Sequence, residues 1–322
     1  MSRARHLPAV VGLPLAVAAG VAIPLQSRIN GALGQTLKDG LAAALISFGT
    51  GLVLMILISL LLPRGRAGFA QLIPAVRERR FPRIYLAAGT IGALFVFSQA
   101  LTISILGVAL FTVAAVMGQT LSGLAVDRMG IGPGGRRVIT PMRVIGVALT
   151  VAAVIWAVSP RLGETGTTAA LILPLLLPIA AGILVSFQQA MNGTAAMQYG
   201  TPITATLMNF VAGSTLLLAA WLVKLIAVGP PEPLPGDWWY YLGGPMGCVF
   251  IGIGALLVRS LGVLLTGLGM IAGQLLGSLA LDLVLPTPGT VVVFATVAGP
   301  VLALGAIILT TLPWSRGLLK RS

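Results

Sequence analysis

A few neutral amides and two carboxylates carry the chemistry available inside this apolar chain. Gln26 and Asn30 stand four residues apart, as do Gln188 and Asn192, and a glycine follows each asparagine. Residues four apart share one face of a helix. Gln119 and Gln274 each follow a glycine, Gly118 and Gly273, and each has a small residue three positions on, Ser122 and Gly277. Asn209 is a further amide within an apolar run, and Ser47, Gln99, Thr102 and Thr266 are weaker polar candidates. A side-chain amide offers donors and an acceptor without charge. Grouped in apolar surroundings, these residues are suited to reversible binding of a small polar solute, neutral or zwitterionic.

Bond-making chemistry lacks its usual groups. The single histidine, His6, is near the N-terminus, and the single cysteine, Cys248, lies inside an apolar run. That inventory excludes an intramolecular disulfide and argues against a His/Cys metal site or a catalytic triad. There is no Walker motif. The expectation is a protein that is not an enzyme and needs no cofactor or metal.

The amides also have structural readings. An asparagine followed by glycine can end a helix, and a glutamine can bond across to a neighbouring helix. Asp127 and Asp282 stand at the ends of apolar runs, where a carboxylate opposes the helix macrodipole. Each therefore wants a partner: Arg137 or Arg143 for Asp127, and Arg28 for Asp282. They are candidate gating residues, broken and remade alternately. The rival reading is a solvated anchor at the headgroups.

The elements that position these groups are membrane spans. Of the 322 residues 57% are hydrophobic and 8% charged, with mean hydropathy +1.03; a soluble domain carries about 25% charged residues. A crossing helix needs about 20 apolar residues. Ten candidates run near 7–27, 40–62, 84–105, 107–127, 142–159, 170–190, 203–227, 239–258, 260–283 and 290–312. The N-terminus resembles a signal peptide, but its run has a counterpart deep in the chain and is read as a structural first helix. The uninterrupted run 84–127 is too long to cross once, so a tight turn is expected at Gly107, and another at Gly262. The net charge of +13 is not a nucleic-acid footprint. Sixteen of the 20 basic residues fall on one side of this ten-span arrangement, which places both termini in the cytoplasm. The Arg-rich loop 63–83 reads as an anchor at the anionic inner leaflet. Trp221, Trp238, Trp239 and Trp314 fall near span ends as interfacial residues.

The chain repeats itself. Gly20 to Leu54 aligns on Gly182 to Leu216, matching Gln26 with Gln188, Asn30 with Asn192 and Phe48 with Phe210. The segment from Tyr85 to Asp127 aligns on Tyr240 to Asp282, with roughly 16 of about 43 positions identical. The halves are 1–160 and 161–322, with five spans in each. Five is odd, so the second half crosses upside down relative to the first, an arrangement found in secondary transporters. The fold class is all-α integral membrane, with ten transmembrane helices in a 5+5 inverted-topology repeat.

The paired Gln-x-x-x-Asn-Gly segments, the following "AALISFGTG" and "TATLMNFVAGS", and the paired Gly-Gln helices resemble the YdcZ-type branch of the drug/metabolite transporter superfamily. The resemblance covers nearly the whole chain. It implies a 5+5 helical bundle in the inner membrane, acting as a permease or exporter of small metabolites. Small multidrug relatives carry a carboxylate in the first helix, where this chain has Gln26, which speaks against proton-coupled export of organic cations. The expected function is secondary transport of a small polar metabolite by alternating access. The alternatives are a passive small-solute channel and, less well supplied with residues, a lipid-modifying enzyme. The expected partners are the solute and membrane lipid, not nucleic acid, with the chain a monomer or homodimer. The expected binding residues are Gln26, Asn30, Gln119, Gln188, Asn192, Gln274 and Asn209.

Overall fold

The computed structural model describes residues 9–132, 135–136, 138–159, 167–286 and 293–309, and these are all-helical. The helices are α1 (Ala9–Leu37), α2 (Gly40–Leu61), α3 (Pro63–Arg77), α4 (Ala88–Leu106), α5 (Val108–Met129), α6 (Pro141–Val158), α7 (Thr167–Tyr199), α8 (Pro202–Val228), α9 (Gly243–Val284) and α10 (Phe294–Leu309). Among the described residues seven helical segments are long and apolar enough to cross a membrane: Val10–Leu37, Gly40–Leu61, Arg83–Leu106, Val108–Met129, Leu171–Tyr199, Pro202–Val228 and Thr266–Val284. Three shorter apolar helical segments, Val144–Ala157, Gly243–Gly254 and Val297–Ala306, fall on the other expected spans. The expected Trp314 anchor lies outside the described residues.

Local chemistry marks several of these ends. Gly107 breaks the 84–127 run with φ 80°, a backbone angle L side chains rarely adopt. Asp39 caps α2, accepting from the amides of Leu41 and Ala42 at 3.0 Å each. Thr201 caps α8 through the amide of Ile203 at 3.3 Å, with Pro202 next in the chain. Proline suits a first helical turn because its missing N–H would be unpaired there anyway.

Two expectations are corrected. Asn30 and Asn192 do not end their helices: α1 continues to Leu37 and α7 to Tyr199. The polar residues after the apolar run stay helical because the helix is set by its backbone ladder, and the Asn30 side chain is bonded to α4 instead of capping its own helix. The segment after α2 is also no loop. Pro63 to Arg77 forms α3, which buries Gly65, Gly68 and Ala75 and leaves Phe69 and Ile73 exposed. Gly68 lets α3 lie against Thr201 and Thr204, and Leu72, Ala75 and Val76 pack with Ala195, Tyr199 and Ala205.

The turn expected at Gly262 takes a different form from that at Gly107. Every residue from Gly243 to Val284 is helical, with no intervening loop residue. In a straight helix Gly254 and Met270 would be about 24 Å apart. Yet the Met270 side chain lies against Gly254, and Leu257 and Met270 share one cluster with Ala16 and Ala19. The helix therefore doubles back between Leu257 and Met270. Its first arm runs antiparallel to α1, with Gly243 at Asn30 and Gly247 at Gln26. Its second arm runs parallel to α1, with Gly269 at Ala16, Gly273 at Val17 and Gly20, and Gly277 at Val21.

Candidate functional site

Glycines bring the helices of the two halves together. Gly20 sits on the backbone of Met270 and Gly273, and Gly182 sits on the backbone of Ala115. The partners are aligned positions of the repeat: Gly20 with Gly182, Gly118 with Gly273, and Ala115 with Met270. Helix backbones approach this closely only where no side chain intervenes. The same duplication holds one level along. Gly92 faces the Gln188 amide, and Gly247 faces the Gln26 amide.

Two aromatic rings lie between these seams. Phe48 on α2 and Phe210 on α8 have centroids 5.2 Å apart and planes tilted by 51°. Gly51 makes room for Phe210, and Gly213 for Phe48. Both rings are buried. Gly92 also neighbours Phe48, and Gly247 neighbours Phe210, so each glutamine lies beside the ring pair. An amide flanking an aromatic face on each side makes a centre that is neutral, apolar and able to hydrogen-bond.

The amides have different fates in the two halves. Asn30, fully buried, donates from Nδ2 to Gln99 Oε1 at 2.8 Å. Gln99, also fully buried, donates from Nε2 to Ser27 Oγ at 2.8 Å, and Ser27 donates to the Ile23 carbonyl at 2.9 Å. Beside Gly243, the Oδ1 of Asn30 and the Oγ of Ser47 are buried without a hydrogen-bond partner among the described residues. In the second half Gln188 Nε2 donates to Asn209 Oδ1 at 3.0 Å, and Asn209 Nδ2 donates to the Ala205 carbonyl at 2.9 Å. Asn192 is half-buried.

Gln26, Gln188 and Asn209 thus gather at the ring pair, and Asn30 stands one turn from Gln26. Gln119 and Gln274 sit beside the crossing glycines, on the α5–α7 and α1–α9 seams. Their side chains make no hydrogen bond among the described residues. The Gln119 carbonyl accepts from Ser186 Oγ at 2.9 Å. Gln99, Ser27 and the ring pair were under-weighted by the sequence. Aligning the halves could have exposed the rings, because Phe48 and Phe210 match in the repeat.

Asp282, for which Arg28 was the expected partner, meets the start of α5. It is 5% exposed, and its carboxylate accepts from the amides of Val108 at 3.0 Å and Ala109 at 2.7 Å. The start of α5 has no side-chain cap of its own, since Gly107 precedes it. A carboxylate at a helix N-terminus is favoured by unpaired amides and by the macrodipole. That resolves the apparent conflict of Asp282 with its own helix. Of the partners expected for Asp127, Arg137 lies outside the described residues, as does the side chain of Arg143. Asp282→Ala is expected to lower stability by about 1–2 kcal/mol, read as a fall in thermal midpoint. A fall no larger than that of the exposed Asp237→Ala would discount the cap.

The end of the molecule near Asn30 is tied by charge. Asp39 Oδ2 meets Lys224 Nζ at 2.8 Å, with the Asp39 side chain 3% exposed and that of Lys224 22%. Lys224 also donates to the Gly229 carbonyl at 3.2 Å. Burial would push the Asp39 carboxyl upward, but the Lys224 bond and the Ala42 and Leu41 amides outweigh it and hold the group below 3.8. Lys38 and Glu232 pair at 3.2 Å on the surface, where such a pair contributes little. Among the described residues no group of His, Cys, Asp or Glu could hold a metal ion.

A family model described as "Putative inner membrane exporter, YdcZ" matches residues 11–156 and 173–309. No curated protein matches the chain.

Proposed function

The chain belongs to the YdcZ family of inner membrane exporters, and from that premise we propose that it moves a small polar metabolite by alternating access. It is a multi-pass inner membrane protein of the transporter class. The finer reading is a bundle of two inverted five-helix repeats, 1–160 and 161–322, with both termini in the cytoplasm. Residue chemistry supports transport rather than catalysis.

The observation that carries the reading is the duplicated crossing of the halves. Gly20 meets Gly273 as Gly182 meets the Ala115–Gly118 turn, and Gln26 meets Gly247 as Gln188 meets Gly92. Each pair joins one half to the other, with Phe48 and Phe210 between them. Such an arrangement supports two conformations that are near mirror versions of each other, with the site at the repeat interface. Gln26 and Gln188 are the proposed solute ligands, with Asn209 orienting Gln188. Asn30, Asn192, Gln119 and Gln274 are proposed as path residues further along the seams. Asp127 and Asp282 are the proposed gating contacts, broken and remade alternately during the cycle.

A ligand-dependent thermal-shift screen on purified protein, followed by counterflow in liposomes with the hits, tests this. Saturable counterflow is expected with at least one neutral or zwitterionic metabolite. Gln26→Ala and Gln188→Ala are each expected to lower that counterflow roughly tenfold, the equivalent of one buried hydrogen bond. A flat screen with no counterflow, or flux that never saturates, would count against the transporter.

A further inference from the structure

Aligned residues of the two halves have different surroundings. In the first half α1 packs along α4: Gly31 lies against Ile103 and Gly34 against Ala100, and Gly40 at the start of α2 lies against Leu101 and Phe97 of the same helix. The equivalent pair in the second half is α7 with the first arm of α9. There the counterparts of Ala100, Leu101 and Ile103 are residues 255, 256 and 258, whose side chains lie outside the described ones. Other pairs do match across the repeat. The two arms of α9 flank α1 much as α4 and α5 flank α7.

Exposure follows the same division. Ser27, Asn30 and Gly31 are buried, whereas their counterparts differ: Gln189 is exposed, and Asn192 and Gly193 are half-buried. The side chain that joins α4 to α1 is Gln99, which bonds Asn30 and Ser27 at 2.8 Å each. Its aligned position in the second half is Gly254, which has no side chain to offer. At the same end as Asn30, Asp39 and Lys224 join the start of α2 to the end of α8.

We propose that Gln99 is a gate latch, holding α1 on α4 through Asn30 and Ser27, in a conformation closed at the Asn30 end and open at the Asn192 end. The latch has no counterpart because Gly254 replaces the glutamine, so the two gates differ in strength. The conformation open at the Asn192 end is then the resting one. With the basic loops in the cytoplasm, the path waits open to the cytoplasm, the side from which an exporter takes its solute. Gln99 is a positioning residue: it acts through Asn30 and Ser27 rather than on the solute. The inference rests on alternating access, but its test reads conformation and not flux.

The experiment uses the full chain carrying Cys248→Ser, which removes the only native thiol. A single cysteine is placed either at Leu33, fully buried on the closed end of α1, or at Gln189, exposed on α7. Labelling by a hydrophilic maleimide is followed in lipid nanodiscs, with and without Gln99→Leu. Losing two interhelical bonds should raise labelling of L33C roughly 5- to 10-fold and slow labelling of Q189C. Ser27→Ala, which removes one of the two bonds, should move both rates in the same directions by less. A rise at both positions means general loosening and overturns the latch, as does no change at either. Reciprocal labelling without counterflow for any solute would leave the latch standing and sink the transport reading instead.

Discussion

Lys224→Met in a chain that keeps Asp39 is expected to be among the most damaging side-chain substitutions in the protein. It would leave the Asp39 carboxylate buried with, among the described residues, only the Leu41 and Ala42 amides as partners. Breaking one side of a buried ion pair destabilises by about 3–5 kcal/mol. Lys224 retains some solvent contact, so about 3 kcal/mol is the appropriate expectation. The double variant Asp39→Asn, Lys224→Met should recover most of that loss. Asparagine still caps α2 with its Oδ1, and methionine is comfortable among apolar neighbours. If single and double variants lost equal stability, the ion pair would not be what matters.

Acid should reveal the same pair. The folded state holds the Asp39 carboxyl below 3.8, although burial alone would raise it, because the Lys224 ammonium and two amides favour the ionised form. A group with a depressed folded pKa stabilises the protein above its unfolded value. That contribution is lost as pH falls through the folded value. Thermal stability should therefore hold from neutral pH down to about 4 on account of this group and fall below it. In the double variant the part of the fall due to Asp39 should vanish.

The second large effect concerns the crossing glycines. Gly20→Leu and Gly182→Leu each place a side chain where the backbone of the other half already lies, at Met270 in one case and Ala115 in the other. Backbone cannot step aside as a side-chain tip can, so each variant should lose more than about 4 kcal/mol. The readout is the yield of monodisperse protein and its thermal midpoint. Gly123 and Gly49 are the internal controls, since a Cβ at either meets nothing within 4 Å. Alanine there should be neutral or should stabilise by up to ~1 kcal/mol, from helix propensity. The decisive feature is parity: the two halves should suffer alike. A tolerated Gly20→Leu beside a ruinous Gly182→Leu would contradict equivalent seams.

Much of the frame was legible because it depends on composition and short spacings. Apolar length marks the spans, since a crossing helix must satisfy its backbone internally and expose only apolar side chains. Gly107 was readable as a turn, because a run from residue 84 to 127 cannot cross once. The repeat was readable because aligned glycines, amides and carboxylates recur in order. The α3 helix was not, because fifteen residues rich in arginine carry no apolar run. Its stability comes from lying on Ala195, Tyr199 and Ala205, which are distant in sequence.

The sequence by itself showed which segments are apolar enough to cross a membrane, that Gly20–Leu54 and Tyr85–Asp127 have aligned counterparts later in the chain, and which polar groups stand within apolar runs. It could not determine their partners. Asn30 and Asn192 are the same residue type at the same place in the repeat, yet one is sealed against Gln99 and the other is half open to its surroundings. Asp282 holds the start of α5, a partner more than 170 residues away in the chain. A hydrogen bond is made only with a group within about 3 Å. Which groups come that close is decided by the packing of helices far apart in the chain, and that packing differs between the two halves.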